Sequence, residues 1–153
     1  MNRDAALPAD LSPALQQYVE AIAALCRRHG HAHPVALSSA LGVRMPSVTQ
    51  AVGRLVARGL AARLPGREVR LTPSGRTVAA RLRRRHHALR RFMVTVLGMV
   101  PHEADAAACR LEHCEDGTMF ERLDRLARLL SRRHPAVLRD LARHMREGAS
   151  VGD

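Results

Sequence analysis

Apolar positions recur at helical spacing from near the start of the chain. Leu15, Tyr18, Val19, Ile22 and Leu25 share one face of a 3.6-residue period, which predicts an amphipathic helix. Ser12-Pro13 supplies an N-cap and a Pro at the first helical position, and Gly30 stops the helix after about Arg28. Pro34 begins a short helix with Val35, Leu37 and Leu41 apolar, closed by Gly42. After a turn at 43–45, Pro46 opens a third helix with Val48, Val52, Leu55 and Val56 as its buried stripe, and Gly59 ends it. The period then shortens to two. Val69 and Leu71 alternate with Glu68 and Arg70, and Pro65-Gly66-Arg67 separates them from residues 60–64, so the segment predicts a two-stranded hairpin.

Helical spacing returns at Thr72-Pro73, which caps a long helix over about 73–97, ended by Gly98 and Pro101. A helix over about 102–115 breaks at Asp116-Gly117. Met119, Leu123, Leu126, Leu129 and Leu130 predict another over 118–132, and Pro135 starts a last one to about Met145. Residues 1–10 read as a polar arm and 146–153 as a frayed tail. The fold class is mainly α: an N-terminal winged helix-turn-helix over 11–72 with a small β-hairpin wing, followed by an all-helical region over 73–145.

Helix, short helix, turn, helix, hairpin is the order in which a winged helix presents its third helix to the major groove and its hairpin to the flanking backbone. Opposite the apolar stripe of that third helix lie Ser47, Gln50, Arg54 and Arg58. Ser47 and Gln50 stand near its N-terminus, where they reach base edges, and Gln pairs bidentately with adenine. Pro46 begins this recognition helix, and Thr49 is a candidate phosphate contact. Arg44 and the wing residues Arg63, Arg67 and Arg70 are placed to neutralise phosphates.

Charge strengthens this reading. The 153 residues carry 25 basic against 14 acidic side chains, a net charge of +11, which favours a polyanionic partner. All the basic residues are arginine; an arginine-for-lysine bias explains that choice but not the excess of basic over acidic. Aromatics are only 2%, which argues against single-strand binding on stacking platforms and leaves a core of Ala, Leu and Val. No stretch reaches 18 apolar residues, and the start lacks a basic segment followed by an apolar run. Three cysteines, Cys26, Cys109 and Cys114, in a chain of this size suggest reduced thiols and a cytoplasmic protein.

The strongest chemical signal is Cys109-Arg110-Leu111-Glu112-His113, which begins 23 residues after His86. Positions i, i+3 and i+4 share a helix face, so a thiolate, a carboxylate and an imidazole form half of a divalent transition-metal site. Taken singly, Cys109 reads as a small core residue, Glu112 as an arginine partner and His113 as a surface residue; the metal reading rests on their joint occurrence with His86. His87 is expected to face away from His86. Cys26 and Cys114 are expected in the core or incidental, and His29, His31 and His33 solvated.

Met45-Pro46-Ser47-Val48-Thr49-Gln50, Leu71-Thr72-Pro73-Ser74-Gly75-Arg76, Arg85-His86 and Cys109-Arg110-Leu111-Glu112-His113 together resemble the diphtheria toxin repressor / manganese transport regulator family over roughly residues 12–130. The resemblance implies a homodimeric, metal-dependent DNA-binding repressor of Fe/Mn homeostasis. It implies a helical metal-binding and dimerisation domain over 73–145, a palindromic operator, and Fe(II) or Mn(II) as corepressor. The chain is similar to the short members that lack an SH3-like domain. The implied metal ligands are Glu20, His86, Cys109, Glu112 and His113. Gln17 stands where relatives carry Asp or Met, and Arg90 where iron-type members place an ancillary carboxylate, so Gln17 and Asp105 are further candidates. A thiolate favours Fe(II), Co(II) or Zn(II) over Mn(II). That ranks iron slightly ahead, with Zn(II) or Co(II) expected to bind in vitro.

No phosphate loop, Ser-His-Asp pattern or pair of acid/base carboxylates points to an enzyme. The alternative to a metal-dependent regulator is a metal-independent winged-helix regulator that responds to thiol oxidation, through Cys109 beside His113, or to a small-molecule effector.

Overall fold

The computed structural model describes Pro8, residues 11–113 and residues 117–148. The described chain divides into two compact units, one running to Arg83 and the other starting at Arg84. Each follows from its own apolar pattern.

The N-terminal unit begins with α1 (Pro13–His29), where the Ser12 hydroxyl accepts the Leu15 N–H, and Gly30 closes the helix at φ 80°. α2 (Pro34–Leu41) is capped by the His33 ring, which accepts the Val35 N–H, and it ends at Gly42. His33 is therefore a capping residue rather than only a solvated one. α3 (Met45–Ala57) starts one residue earlier than its proline suggests. Its buried face is Val48, Ala51, Val52 and Leu55, with Val56 only half-buried. Ala51 takes the place expected of Val56 because a methyl group fits the close approach of neighbouring helices.

β1 (Ala61–Arg63) and β2 (Val69–Leu71) pair antiparallel, with Ala61 opposite Leu71 and Arg63 opposite Val69. A single turn of 3-10 helix at Pro65–Arg67 joins them. Val69 also exchanges both backbone hydrogen bonds with Ala32 at 2.8 and 2.9 Å, so the loop between α1 and α2 fixes the wing to the helices. The shared core holds Val19, Ile22, Leu37, Val48, Leu55, Val69 and Leu82, all fully buried.

α4 (Pro73–Thr95) enters against the wing. The Thr72 hydroxyl accepts the Gly75 N–H and donates to Gly59 O, a side-chain N-cap of the kind that satisfies a helix's free first-turn donors. A Cβ on Gly75 would lie 1.9 Å from Leu60 O, so only glycine permits this approach of helix to backbone. Val78 and Leu82 belong to the N-terminal core. The first turns of α4 thus pack with the winged helix, and the division between the two compact units falls inside the helix, after Arg83.

The C-terminal unit contains the rest of α4, α5 (Pro101–Leu111), α6 (Gly117–Arg133) and α7 (Pro135–Gly148). Its core is Ala88, Leu89, Met93, Ala104, Ala108 and Phe120, with small residues that let the helices approach closely. α4 and α5 both end earlier than the expected 97 and 115. Leu126, Leu129, Val137, Leu141 and Met145 on α6 and α7 are exposed. Among the described residues no helix is long and apolar enough to cross a membrane. The expected arm at 1–10 falls, Pro8 apart, outside the described residues, as do Cys114 and the tail beyond Gly148.

Candidate metal centre

His86 lies on α4 one residue past the buried Arg85 and half emerges from the C-terminal unit. Leu82, Arg85 and Leu89 form the buried ridge of that helix. The spacing gives Arg85 a core position its charge disguises in the sequence. Its guanidinium lies 5.1 Å from the centroid of the Phe120 ring, a cation–π placement.

Both nitrogens of the His86 ring face carboxylates. Nδ1 lies 3.1 Å from Glu112 Oε2, and Nε2 lies 3.3 Å from Asp105 Oδ1. Glu112 follows the last residue of α5 and keeps helical angles, with its N–H on Ala108 O. That final turn carries its side chain inward, and the residue is 1% exposed. Burying a carboxylate is costly without a compensating charge or hydrogen bonds, and His86 is one such partner. Asp105, on α5, also accepts from Arg90 Nε at 2.8 Å. Partial desolvation pushes the Asp105 carboxyl up, but His86 and Arg90 together hold it below the usual carboxylate range.

His113 adjoins Glu112, and a ring nitrogen of one lies within 4.8 Å of a carboxylate oxygen of the other. Burial lowers the His113 pKa, and the Arg85 charge lowers it further, so its ring is held neutral, the form that ligates metals. Two imidazoles and two carboxylates are therefore gathered in one unit. Each nitrogen of the His86 ring thus meets one carboxylate, and the two carboxylates lie on different edges of the ring. This donor set suits a divalent first-row metal.

The structure brings His86, Glu112, His113 and Asp105 into one neighbourhood and leaves Cys109 exposed on the surface of α5. Cys109 is exposed while Glu112, three residues on, is buried. Glu112 faces His86. Arg90 is the unanticipated member. Its guanidinium brings a fixed positive charge to Asp105, on the residue where iron-type relatives are expected to carry a carboxylate. His87 is exposed, edge-on to His86 with centroids 6.0 Å apart. Glu20 and Gln17 lie on α1 of the N-terminal unit; Gln17 is exposed, whereas Glu20 is half-buried and burial pushes its carboxyl up to about 7.

The residues read as DNA contacts form the outer surface of the N-terminal unit. Arg44, Pro46, Ser47, Thr49, Gln50, Arg54 and Arg67 are all exposed. The Thr49 hydroxyl donates to Met45 O at 3.1 Å, which leaves its oxygen to accept rather than donate elsewhere. Arg67 adopts φ 66° at the wing turn. Cys26 packs against the core, where burial pushes its thiol up despite opposing effects of the Leu71 backbone and the Arg70 charge.

Two family descriptions match the chain in succession. The iron dependent repressor N-terminal DNA binding domain matches residues 10–68. The iron dependent repressor metal binding and dimerisation domain matches residues 72–143. The transcriptional regulator MntR of Escherichia coli O6:H1 is 37% identical over 99 residues, covering 65% of this chain and 63% of that protein. The diphtheria toxin repressor of Corynebacterium glutamicum is 33% identical over 78 residues, covering 51% of this chain and 34% of that protein. The chain thus matches under two thirds of the length of these curated relatives. Among solved structures, a manganese-dependent transcriptional repressor in complex with manganese superposes with a TM-score of 0.66 at 27% identity, covering 74% of this chain and 52% of that one.

Proposed function

The chain belongs to the iron-dependent repressor family, and from that premise we propose that it is a cytoplasmic homodimeric repressor whose DNA binding depends on Fe(II) or Mn(II). The observation that carries this reading is the fully buried Glu112 carboxylate 3.1 Å from His86, in a chain whose N-terminal unit presents an exposed recognition helix.

Glu112 and His113, whose ligand atoms lie within 4.8 Å of one another, are the ligands this reading rests on, with His86 and Asp105 beside them. Glu20 and Cys109 are kept as ligands on the family resemblance. With Cys109 exposed, the thiolate argument for iron loses force, and an imidazole–carboxylate set accommodates manganese equally. A bound metal would supply positive charge that lets the buried Glu112 carboxylate stay ionised away from water. His86 and Glu112 orient each other through the Nδ1 contact, and Asp105 is held in place by Arg90.

Coupling to DNA is linkage: a ligand that binds the DNA-competent arrangement more tightly shifts the population toward it. Ser47 and Gln50 would read bases of a palindromic operator while Arg44, Arg54 and Arg67 position the backbone; the Thr49 hydroxyl, spent on Met45 O, would have to turn to join them. The exposed apolar residues of α6 and α7 support a dimer face in the domain whose family description includes dimerisation.

The test is melting of reduced, metal-free protein titrated anaerobically with Fe(II), Mn(II) and Zn(II). Metal at about 100 times its Kd stabilises by about 2.7 kcal/mol, a rise of roughly 5–10 °C for a chain of this size. The rise disappears in Glu112→Ala. No rise with any metal would favour the second reading, in which the exposed Cys109 thiol responds to oxidation without metal.

A further inference from the structure

The N-terminal unit contains a pocket of about 520 Å³ that neither the recognition helix nor the metal-binding residues use. It lies between the C-terminal half of α1, strand β2 of the wing and the first turns of α4. Four arginines line it: Arg27, Arg70, Arg76 and Arg83. No carboxylate lines it, and among the described residues none of the four has an ion-pair partner. Arg76 is tied to the backbone, donating to Leu71 O at 3.1 Å.

Four guanidinium groups around one concavity repel one another unless an anion joins them. All four are exposed at the rim, and all four surround the same space. The floor is small and apolar, with Leu71, Ala79 and Ala80, so the pocket has a charged rim and a non-polar base. Its volume falls in the ordinary range of small-molecule sites. Guanidinium forks match phosphoryl oxygens in charge and in spacing.

We infer that this pocket binds a small phosphorylated molecule, held by Arg27, Arg70, Arg76 and Arg83. Arg70 is also a candidate backbone contact of the wing, but DNA is the less favoured occupant, because no lining residue comes from α3 or from the wing turn at 65–67, the surfaces a winged helix applies to the duplex. Arg70 and Leu71 belong to β2, so the occupant touches the wing strand and has a direct route to altering DNA affinity. The inference is independent of the metal reading.

The probe is inorganic pyrophosphate, titrated calorimetrically into the full chain without metal at about 0.15 M salt, where diffuse surface attraction is largely screened. Wild-type protein is expected to bind it, with citrate at matched ionic strength binding more weakly. Arg27→Ala/Arg83→Ala should weaken pyrophosphate binding about tenfold or more while leaving Mn(II) binding unchanged, which also shows that the variant is folded. Three results would overturn the inference: no binding to wild type, equal binding by the double variant, or citrate binding as tightly as pyrophosphate. If wild type ignores pyrophosphate while the double variant loses DNA affinity, the four arginines belong to the DNA interface instead.

Discussion

Replacing Gly75 by alanine isolates the junction of α4 with the wing. Alanine favours a helix interior over glycine by about 1 kcal/mol, so local propensity alone predicts stabilisation. The packing predicts the opposite. The new Cβ would meet Leu60 O at 1.9 Å, Leu60 C at 2.9 Å and Leu71 Cβ at 3.3 Å. The first turn of α4 must then retreat from the Leu60 backbone. Two hydrogen bonds tie these same segments, Thr72 N–H to Leu60 O at 3.0 Å and Thr72 Oγ1 to Gly59 O at 2.6 Å. Overpacking costs about 1–3 kcal/mol, and weakening the two bonds adds about 1 kcal/mol each. After subtracting the propensity gain, the expected loss is about 2–4 kcal/mol. Gly53→Ala is the matched control: it sits inside α3, where an added Cβ meets nothing within 4 Å, and should gain up to about 1 kcal/mol. Urea unfolding of both variants, read as a midpoint shift at unchanged slope, should give opposite signs. A Gly75→Ala protein as stable as wild type would refute the account of this junction.

Other outcomes follow from the same geometry. At about pH 7.5 the exposed Cys109 should be alkylated by iodoacetamide well before Cys26, whose thiol is half-buried with a raised pKa, since the thiolate is the reacting species; peptide mass spectrometry after timed quenching decides it, and faster labelling of Cys26 would contradict the packing. At the proposed DNA face, Gln50→Ala should cost about 1–3 kcal/mol on the selected site and relax one base position, whereas Arg67→Ala should weaken all sequences alike and reduce the salt slope by about one. Arg90→Ala should leave the thermal unfolding midpoint of the metal-free protein nearly unchanged, because both it and Asp105 are more than a third exposed and such pairs contribute little. Acid should weaken the metal-free protein through His113. Its folded pKa lies below its ordinary value, so its contribution is present above about pH 6.5 and is lost as pH falls toward the folded pKa. His113→Gln should flatten that limb of a stability profile.

Most of the N-terminal unit was legible because proline and glycine punctuate it. Pro13, Gly30, Pro34, Gly42, Gly59, Pro65-Gly66 and Pro73 bound its elements to within a residue or two of the observed ends, and each acts through its own backbone, not through distant contacts. The end of α5 was harder to read. Nothing local stops a helix at Leu111; the turn that follows carries Glu112 inward to His86, a tertiary effect. Spacing groups Cys109 with Glu112, while packing leaves one exposed and buries the other. The unit boundary inside α4 was hidden for a related reason, since the helix is continuous and only Val78 and Leu82 reveal which core its first turns join. The candidate ligands Glu112 and His113 were legible through their adjacency in sequence, and His86 through the family resemblance. The Arg90–Asp105 pair was not, because it joins two helices fifteen residues apart and a surface arginine carries no pattern of its own.

The central claim is that metal bound through Glu112 tightens DNA binding. Duplexes selected from a random pool by metal-loaded wild-type protein should be titrated by fluorescence anisotropy with metal-free protein, metal-loaded protein and metal-loaded Glu112→Ala. The account predicts that Fe(II) or Mn(II) tightens wild-type binding by about 5–150-fold, the usual range of coupling between two sites, and that Glu112→Ala binds like metal-free protein at every metal concentration. Metal-free wild type binding the selected duplex as tightly as the loaded form, or Glu112→Ala retaining the full response, would contradict it.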